Sequence, residues 1–321
     1  MTTSRNSKVK VALFGLGKMG SNHLRVLSML NSVSIEYVFD TDQWATSAAT
    51  QKYGVTSTNQ LPTTFDDIDA VVICTPTVTH QEYLEKFIPE VRNIFVEKPL
   101  THSLKGAESI TSLANTYQTN IQVGFIERFN PAIGKLREIL YDANDVAFVD
   151  FIRTNRLSSR ITDVDVIYDL MIHDLDLALF LNGPVDKVSA HGKFSGDMVS
   201  LVSATLTHTN GTLSRIFSSR ISDKKIRLIQ ATCDHKFLDC DLLKKEVVTH
   251  ASPAKSTNAE ELDNFTTQLD IVSVPPQEAL LLELQNFIDS CQKLNTVAKP
   301  DVNDGLAAIR LCDVIQKQIA A

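Results

Sequence analysis

The sequence predicts two domains of different texture: an α/β domain built on a doubly wound parallel sheet, then an α+β C-terminal domain with a largely antiparallel open sheet. Three observations lead there. Up to Gly124, short runs of consecutive apolar residues alternate with longer amphipathic stretches, the pattern of strands buried on both faces and joined by helices. The first run leads directly into a glycine cluster. From Val146 onward the texture changes to strand-forming runs separated by turn signals such as Asn210-Gly211, which predicts hairpins. The 321 residues accommodate two domains at about 150 residues each. Their expected bounds are 1–124 and 125–321, with the C-terminal helix packing back on the first domain.

The first strand, Val9 to Phe14, runs into Gly15-Leu16-Gly17-Lys18-Met19-Gly20 and an amphipathic helix through about Leu30. Gly15 permits the tight turn, Gly17 lets the backbone approach a pyrophosphate, and Gly20 lets helix and strand pack closely. Lys18 and Met19 complete the loop, with the helix N-terminus facing the phosphates. The second strand, Val33 to Phe39, ends at Asp40, at the roughly twenty-residue separation of the acid that binds an adenosine ribose. Together these residues make a Rossmann dinucleotide fingerprint. An acid at this position repels a 2′-phosphate and predicts NAD over NADP; the competing reading is that Asp40 caps the next helix.

A helix ends at Tyr53-Gly54, short strands follow at Val55 to Thr58 and Ala70 to Cys74, and Thr75-Pro76-Thr77 introduces a helix from about Val78. This loop belongs to the carboxyl edge of the sheet, where open α/β folds bind ligands. His80, in the first turn of that helix, is either a cofactor contact or a surface histidine. Asn93 to Glu97 forms the next strand and is followed by Lys98-Pro99, a helix from Ser103 to Tyr117 and a strand from Asn120 to Gly124. The repeated β–α alternation implies right-handed crossovers. Lys98, just past a buried strand, is aimed at the cofactor crevice beside Glu97, where its charge can stabilise an alkoxide.

In the second half, Asp165 to Leu181 reads as one helix stopped by Asn182-Gly183-Pro184, with Asp165, Asp169, His173 and Asp176 along one stripe. Asp169 and His173 are four apart, so the carboxylate can orient the ring as a general base; a structural Asp–His pair has the same spacing. Asp165 or Asp176 with His173 lacks a further histidine or cysteine, and no metal is expected. Strands are predicted at Val146 to Thr154, Val185 to Phe194, Val199 to Thr207, Thr212 to Ser219, Ile226 to Thr232 and Glu246 to His250, and a flexible excursion at residues 251 to 266. Helices from about Gln277 to Gln292 and from Asp304 to Ile319 close the chain. Arg153, Arg156 and Arg160 suit bidentate contact with a diphosphate, or are solvated. Arg128 and Asn130 contact substrate or cofactor, or cap a helix near Pro131.

The net charge of −7 argues against nucleic acid as a partner. The five cysteines lack metal spacing and read as free thiols, which points to the cytoplasm. No run of eighteen apolar residues predicts a membrane span, and the polar residues 1 to 7 are not a signal peptide.

VALFGLGKMG at residues 11 to 20, VEKPL at 96 to 100, VGFIERFNPA at 123 to 132, DLMIHDLDL at 169 to 177 and the closing Asp304-Gly305-Leu306 together resemble the Gfo/Idh/MocA oxidoreductases along essentially the whole chain. The resemblance implies an NAD-dependent dehydrogenase in which Lys98 of Glu97-Lys98-Pro99, Asp169 and His173 are the catalytic groups. It also implies a homo-oligomer, a dimer or tetramer, that covers the open sheet. Within the family the chain is most similar to the UDP-N-acetylglucosamine 3-dehydrogenases. A UDP-sugar substrate, a 3-keto product and functional coupling to a sugar aminotransferase in lipid A or surface polysaccharide synthesis are what that similarity implies. A UDP-sugar uronate dehydrogenase, another sugar or polyol dehydrogenase of the family, and a non-catalytic NAD-binding regulator are the alternatives.

Overall fold

A computed structural model of the protein describes residues 8–143, 145–156, 165–234, 236–251, 268–292 and 298–320. The chain divides into two units, Met1–Ile126 with Glu278–Arg310 and Glu127–Gln277 with Leu311–Ala321. The first unit opens with β1 (Val9–Phe14), α1 (Lys18–Leu27), β2 (Val33–Phe39), α2 (Gln43–Tyr53), β3 (Ser57–Thr58), β4 (Ala70–Ile73), α3 (Thr77–Phe87), β5 (Asn93–Glu97), α4 (Leu104–Tyr117) and β6 (Asn120–Gly124). The strands lie in the order β3-β2-β1-β4-β5-β6 and every neighbouring pair is parallel. β4 and β5 are buried along their whole length, which is why β4 and the centre of β5, Ile94 to Val96, read as apolar runs. Strand order reverses between β1 and β4, so the loops after these two strands frame the crevice of a doubly wound sheet.

The second unit contains α5 (Pro131–Ala143), β7 (Val146–Thr154), a π-helical turn (Ile167–Met171) running into α6 (Ile172–Asn182), and β8 (Val185–Ser195), β9 (Met198–His208), β10 (Leu213–Ser219), β11 (Ile226–Cys233), β12 (Lys236–Asp241), β13 (Glu246–Ala251) and β14 (Gln268–Val272). They form one sheet in the order β14-β13-β12-β11-β7-β10-β9-β8. It is antiparallel except where β7 runs parallel to β10. The Asn210-Gly211 turn joins β9 to β10, with Gly211 at φ +90°. Two strands went unpredicted. In β12 the buried positions are only Leu238 and Cys240, set between Asp239 and Asp241, so its alternation is too short to stand out. β14 carries exposed Leu269 and Ile271 and borders the segment expected to be an excursion, most of which lies outside the described residues.

The expected single helix from Asp165 is corrected by the π-helical turn. Its wider i→i+5 bonding departs from the uniform helical pitch assumed between Asp165 and His173. Asp165 instead caps this turn, its Oδ1 accepting from the Ile167 and Tyr168 N–H groups at 2.9 and 3.1 Å.

The two closing helices are α7 (Ala279–Cys291) and α8 (Val302–Ala320). α7 belongs to the first unit because Leu280, Leu284, Phe287 and Ile288 enter the core formed by Val11, Leu13, Leu24 and Phe95. Phe287 meets Phe95 edge-on at 5.7 Å. Burying each such side chain contributes about 1.5–3 kcal/mol. The sequence placed this segment in the second domain by chain order alone. α8 gives its early turns to the first unit, where a Cβ on Gly305 would lie 3.2 Å from that of Leu100, and its last turns to the second, where Gln318 Oε1 accepts from the Ala190 N–H at 2.8 Å. Among the described residues no helix is long and apolar enough to cross a membrane.

Candidate active site

The glycine loop is built as its spacing requires. Gly15 has φ +91°, and a Cβ there would lie 2.7 Å from the Cys74 carbonyl; at Gly20 it would lie 1.8 Å from the Gly15 oxygen. These two glycines bring β1, β4 and α1 into contact. Gly17 differs: a Cβ there would meet nothing within 4 Å, so its absence leaves open space at the start of α1. Gly17 is also the N-cap, with no side-chain cap bond and no acid in the first turn, and Lys18 and Met19 are exposed. Unoccupied N–H groups at a helix start facing open space suit a pyrophosphate.

Asp40 Oδ2 accepts the Leu16 N–H at 2.6 Å and Oδ1 accepts the Asp42 N–H at 2.8 Å. Asp42, not Asp40, caps α2, accepting from the Trp44 N–H at 2.9 Å. The capping alternative for Asp40 is therefore removed. A carboxylate offers about four acceptor positions, so two remain for ribose hydroxyls beside the loop. Together these features fit a bound dinucleotide.

Across the crevice, Thr75 and Thr77 are half-buried and Pro76 exposed at the start of α3. His80 is not a surface residue, which corrects that expectation. It is 1% exposed, with Nδ1 2.8 Å from the Pro99 carbonyl oxygen and Nε2 3.0 Å from that of Thr75. Burial pushes its pKa below the usual histidine value, against the pull of those carbonyls and of Glu97. Glu97 is buried, Oε1 lies 2.7 Å from His23 Nε2, and Oε2 accepts the Lys98 N–H at 3.2 Å. His23, itself fully buried on α1, was missed; its signal was a polar residue on the apolar face of that helix. Lys98 is half-buried just past β5.

In the second unit Asp169 and His173 are half-buried, one in the π-helical turn and one in the first turn of α6. Asp169 Oδ2 accepts from Arg220 Nη2 at 2.7 Å, and the Arg220 side chain is only 4% exposed. Arg220 was missed as well. The sequence shows it only as an isolated cation after the apolar and serine positions of β10.

The arginines expected to clamp a diphosphate are largely corrected. Arg153 is 2% exposed, donating from Nε and Nη2 to Asp174 at 2.8 and 2.7 Å and from Nη1 to Glu127 at 2.9 Å. Arg227 adds a second bond to Glu127 at 3.0 Å. Arg128 makes a two-pronged bond to Asp176, at 2.8 and 2.6 Å, and lies over the Phe180 ring. These guanidiniums are held by carboxylates because burying a charge is tolerable only when it is paired. Asn130 is the N-cap of α5, its Oδ1 accepting from the Ala132 N–H at 3.2 Å. Arg156 is exposed and pairs with Asp223 at 3.0 Å, and Arg160 lies outside the described residues.

Comparison with known proteins agrees with this architecture. A family model described as "Oxidoreductase family, NAD-binding Rossmann fold" matches residues 9–125, and one described as "GFO/IDH/MocA C-terminal domain" matches residues 130–235. The chain is 26% identical over 318 residues to a UDP-N-acetylglucosamine 3-dehydrogenase of Acidithiobacillus ferrooxidans, covering 97% of each. It is 28% identical over 332 residues to an inositol 2-dehydrogenase of Rhizobium meliloti, again covering 97% of each. Among solved structures, that Acidithiobacillus ferrooxidans enzyme superposes with a TM-score of 0.85 over 97% of this chain and 98% of the other, at 22% identity in the superposition, a likeness of fold.

Proposed function

The chain belongs to the Gfo/Idh/MocA oxidoreductase family and is an NAD-dependent dehydrogenase, and from that premise we propose that it oxidises the 3-hydroxyl of a UDP-N-acetylated sugar to a ketone. The observation that carries this reading is the end-to-end similarity to a UDP-N-acetylglucosamine 3-dehydrogenase, over 97% of both chains. Gly15, Gly17, Lys18, Met19, Gly20, Asp40 and the Thr75-Pro76-Thr77 loop are proposed to hold NAD, which supplies the hydride acceptor. His173 takes the proton of the substrate hydroxyl as the hydride leaves the same carbon. Asp169, which accepts from Arg220, is proposed to orient the ring. The Lys98 ammonium stabilises the negative charge that develops on the substrate oxygen.

A specific observation favours a second reading, oxidation of an inositol or related polyol. Arg153, expected to grip a diphosphate, is committed to Asp174 and Glu127 instead. Of the predicted diphosphate arginines, Arg156 is the one that stays exposed among the described residues. One assay separates the readings. Reduced-nicotinamide absorbance is followed with UDP-N-acetylglucosamine, its uronate and myo-inositol, and the product is analysed for a 3-ketone with the nucleotide bond intact. Turnover of inositol alone would overturn the UDP-sugar reading. His173→Ala and Lys98→Ala are expected to lower kcat by about 10²–10⁴-fold while NAD still binds.

The face of the second sheet opposite its core carries half-buried Phe148, Ile152, Phe217, Leu228 and Phe237. We propose that a second copy covers it, giving a dimer or tetramer in the cytoplasm, with the 3-keto sugar passed to an aminotransferase.

A further inference from the structure

Lys98 sits between two residues that imidazoles tie to neighbouring helices. On its N-terminal side, Glu97 faces His23 of α1 at 2.7 Å and returns its other oxygen to the Lys98 N–H. On its C-terminal side, the Pro99 carbonyl faces His80 Nδ1 of α3 at 2.8 Å. The base that carries His80 is itself fixed, because both the N–H and the hydroxyl of Thr79 donate to the Pro76 carbonyl, at 2.9 and 2.8 Å.

We infer that His80 is a positioning residue for Lys98, holding the main chain beside the lysine by donating a hydrogen bond from Nδ1 to the Pro99 carbonyl. The inference rests on the reading that Lys98 acts at the reacting carbon. Both ring contacts of His80 are to carbonyl oxygens, which only accept, so each needs an N–H from the ring. A neutral ring has one, and burial favours the neutral ring. The Pro99 contact is the shorter, so the proton belongs on Nδ1. The Thr75 carbonyl then faces the bare Nε2 at 3.0 Å, and it is the Pro99 bond that constrains the lysine loop.

The two nitrogens can be tested separately, since an asparagine amide falls near the place of Nδ1 and a glutamine amide near that of Nε2. His80→Asn should restore the Pro99 bond and keep kcat within about threefold of the parent. His80→Gln and His80→Ala should lower kcat by about 10–100-fold, the scale of a displaced catalytic group, while the Kd for NAD measured by calorimetry stays within about twofold. Equal kcat in the Asn and Gln variants, or a loss that falls on NAD affinity instead, would overturn the inference. Lys98→Ala run alongside separates the two layers: if it keeps full kcat, the role given to Lys98 is what fails. Nitrogen-15 shifts of the His80 ring in the unmutated protein need no variant to fold. A protonated Nδ1 with a bare Nε2 is expected, and the opposite tautomer would sink the proposal.

Discussion

The two units hold their candidate catalytic groups by opposite means. In the first, positions are set by main chain and hydrogen bonds: glycines without side chains, a carboxylate on two N–H groups, imidazoles on carbonyls and on a glutamate. In the second they are set by buried ion pairs, Arg153 with Asp174 and Glu127, Arg128 with Asp176, and Arg220 with Asp169. A backbone scaffold is disturbed mainly by adding atoms where there is no room. An ion-pair scaffold is disturbed by removing either partner, because the survivor is left charged and dry.

The largest expected effect follows from that asymmetry. Asp174→Asn removes one of the two carboxylates that neutralise the Arg153 guanidinium, which is 2% exposed, leaving Glu127 to serve both Arg153 and Arg227, and should cost about 3 kcal/mol. The urea midpoint should fall with no change in the slope of the transition. Replacing both partners, Arg153→Met with Asp174→Leu, should recover part of the loss, since an apolar pair avoids the desolvation penalty while Glu127 keeps its bond to Arg227. Failure of the double variant to recover would mean that this cluster does more than neutralise charge.

Glycine substitutions sharpen the other half of the contrast. Gly20→Ala places a methyl group 1.8 Å from the Gly15 carbonyl oxygen and should destabilise the unit by about 1–3 kcal/mol. Gly17→Ala meets nothing within 4 Å, so stability should stay within about 0.5 kcal/mol of the parent. Its NAD affinity should nonetheless drop by about tenfold, or 1.4 kcal/mol, because the methyl occupies the approach to the phosphates. Calorimetric NAD titration beside thermal melting reads both, and an unchanged Gly17→Ala affinity would remove the loop from the binding site.

The same contrast governs what could be read from sequence. Gly15, Gly17, Gly20 and Asp40 are legible because backbone geometry demands particular residues at fixed spacing, and β4 and the centre of β5 because double-sided burial leaves apolar runs. The ion pairs are not legible, because sequence shows Arg153 and Asp174 as charges but not that strand β7 and helix α6 bring them within 2.7 Å. An arginine whose partner is distant in sequence looks available for phosphate, which is why Arg153 reads as a diphosphate ligand. The π-helical turn was hidden for another reason, since the stripe of Asp165, Asp169, His173 and Asp176 assumes a uniform helical pitch. The buried roles of His23 and His80 escaped because their partners, Glu97 and Pro99, lie 74 and 19 residues away.

Acid should loosen the bonds that Arg153 and Arg227 make to Glu127. Burial alone would raise the Glu127 carboxyl, but Arg153 and Arg227 overcome it and hold the folded-state pKa below the ordinary value. A depressed pKa means that this stabilisation is complete above the unfolded value, about 4.3 for glutamate, and is lost as pH falls toward the folded one. Urea midpoints measured from about pH 5 downward should decline with a limiting slope near 1.4 kcal/mol per pH unit for this group. Glu127→Gln should start less stable and show a shallower decline; an unaltered slope would place the acid sensitivity elsewhere.

The smallest effect tests a first-unit contact that combines both means of support, a charge held by two backbone N–H groups. Asp40 accepts from Leu16 and Asp42 and still presents acceptor positions toward a ribose. Asp40→Asn turns one oxygen into a donor facing a main-chain N–H and removes the charge that repels a 2′-phosphate. The kcat/KM ratio of NAD to NADP is therefore expected to fall by about five- to tenfold, about 1 kcal/mol, mostly through lost NAD performance. If the ratio stays fixed while activity with both cofactors drops together, Asp40 serves the loop and not the ribose, and discrimination must come from residues that contact the nucleotide elsewhere.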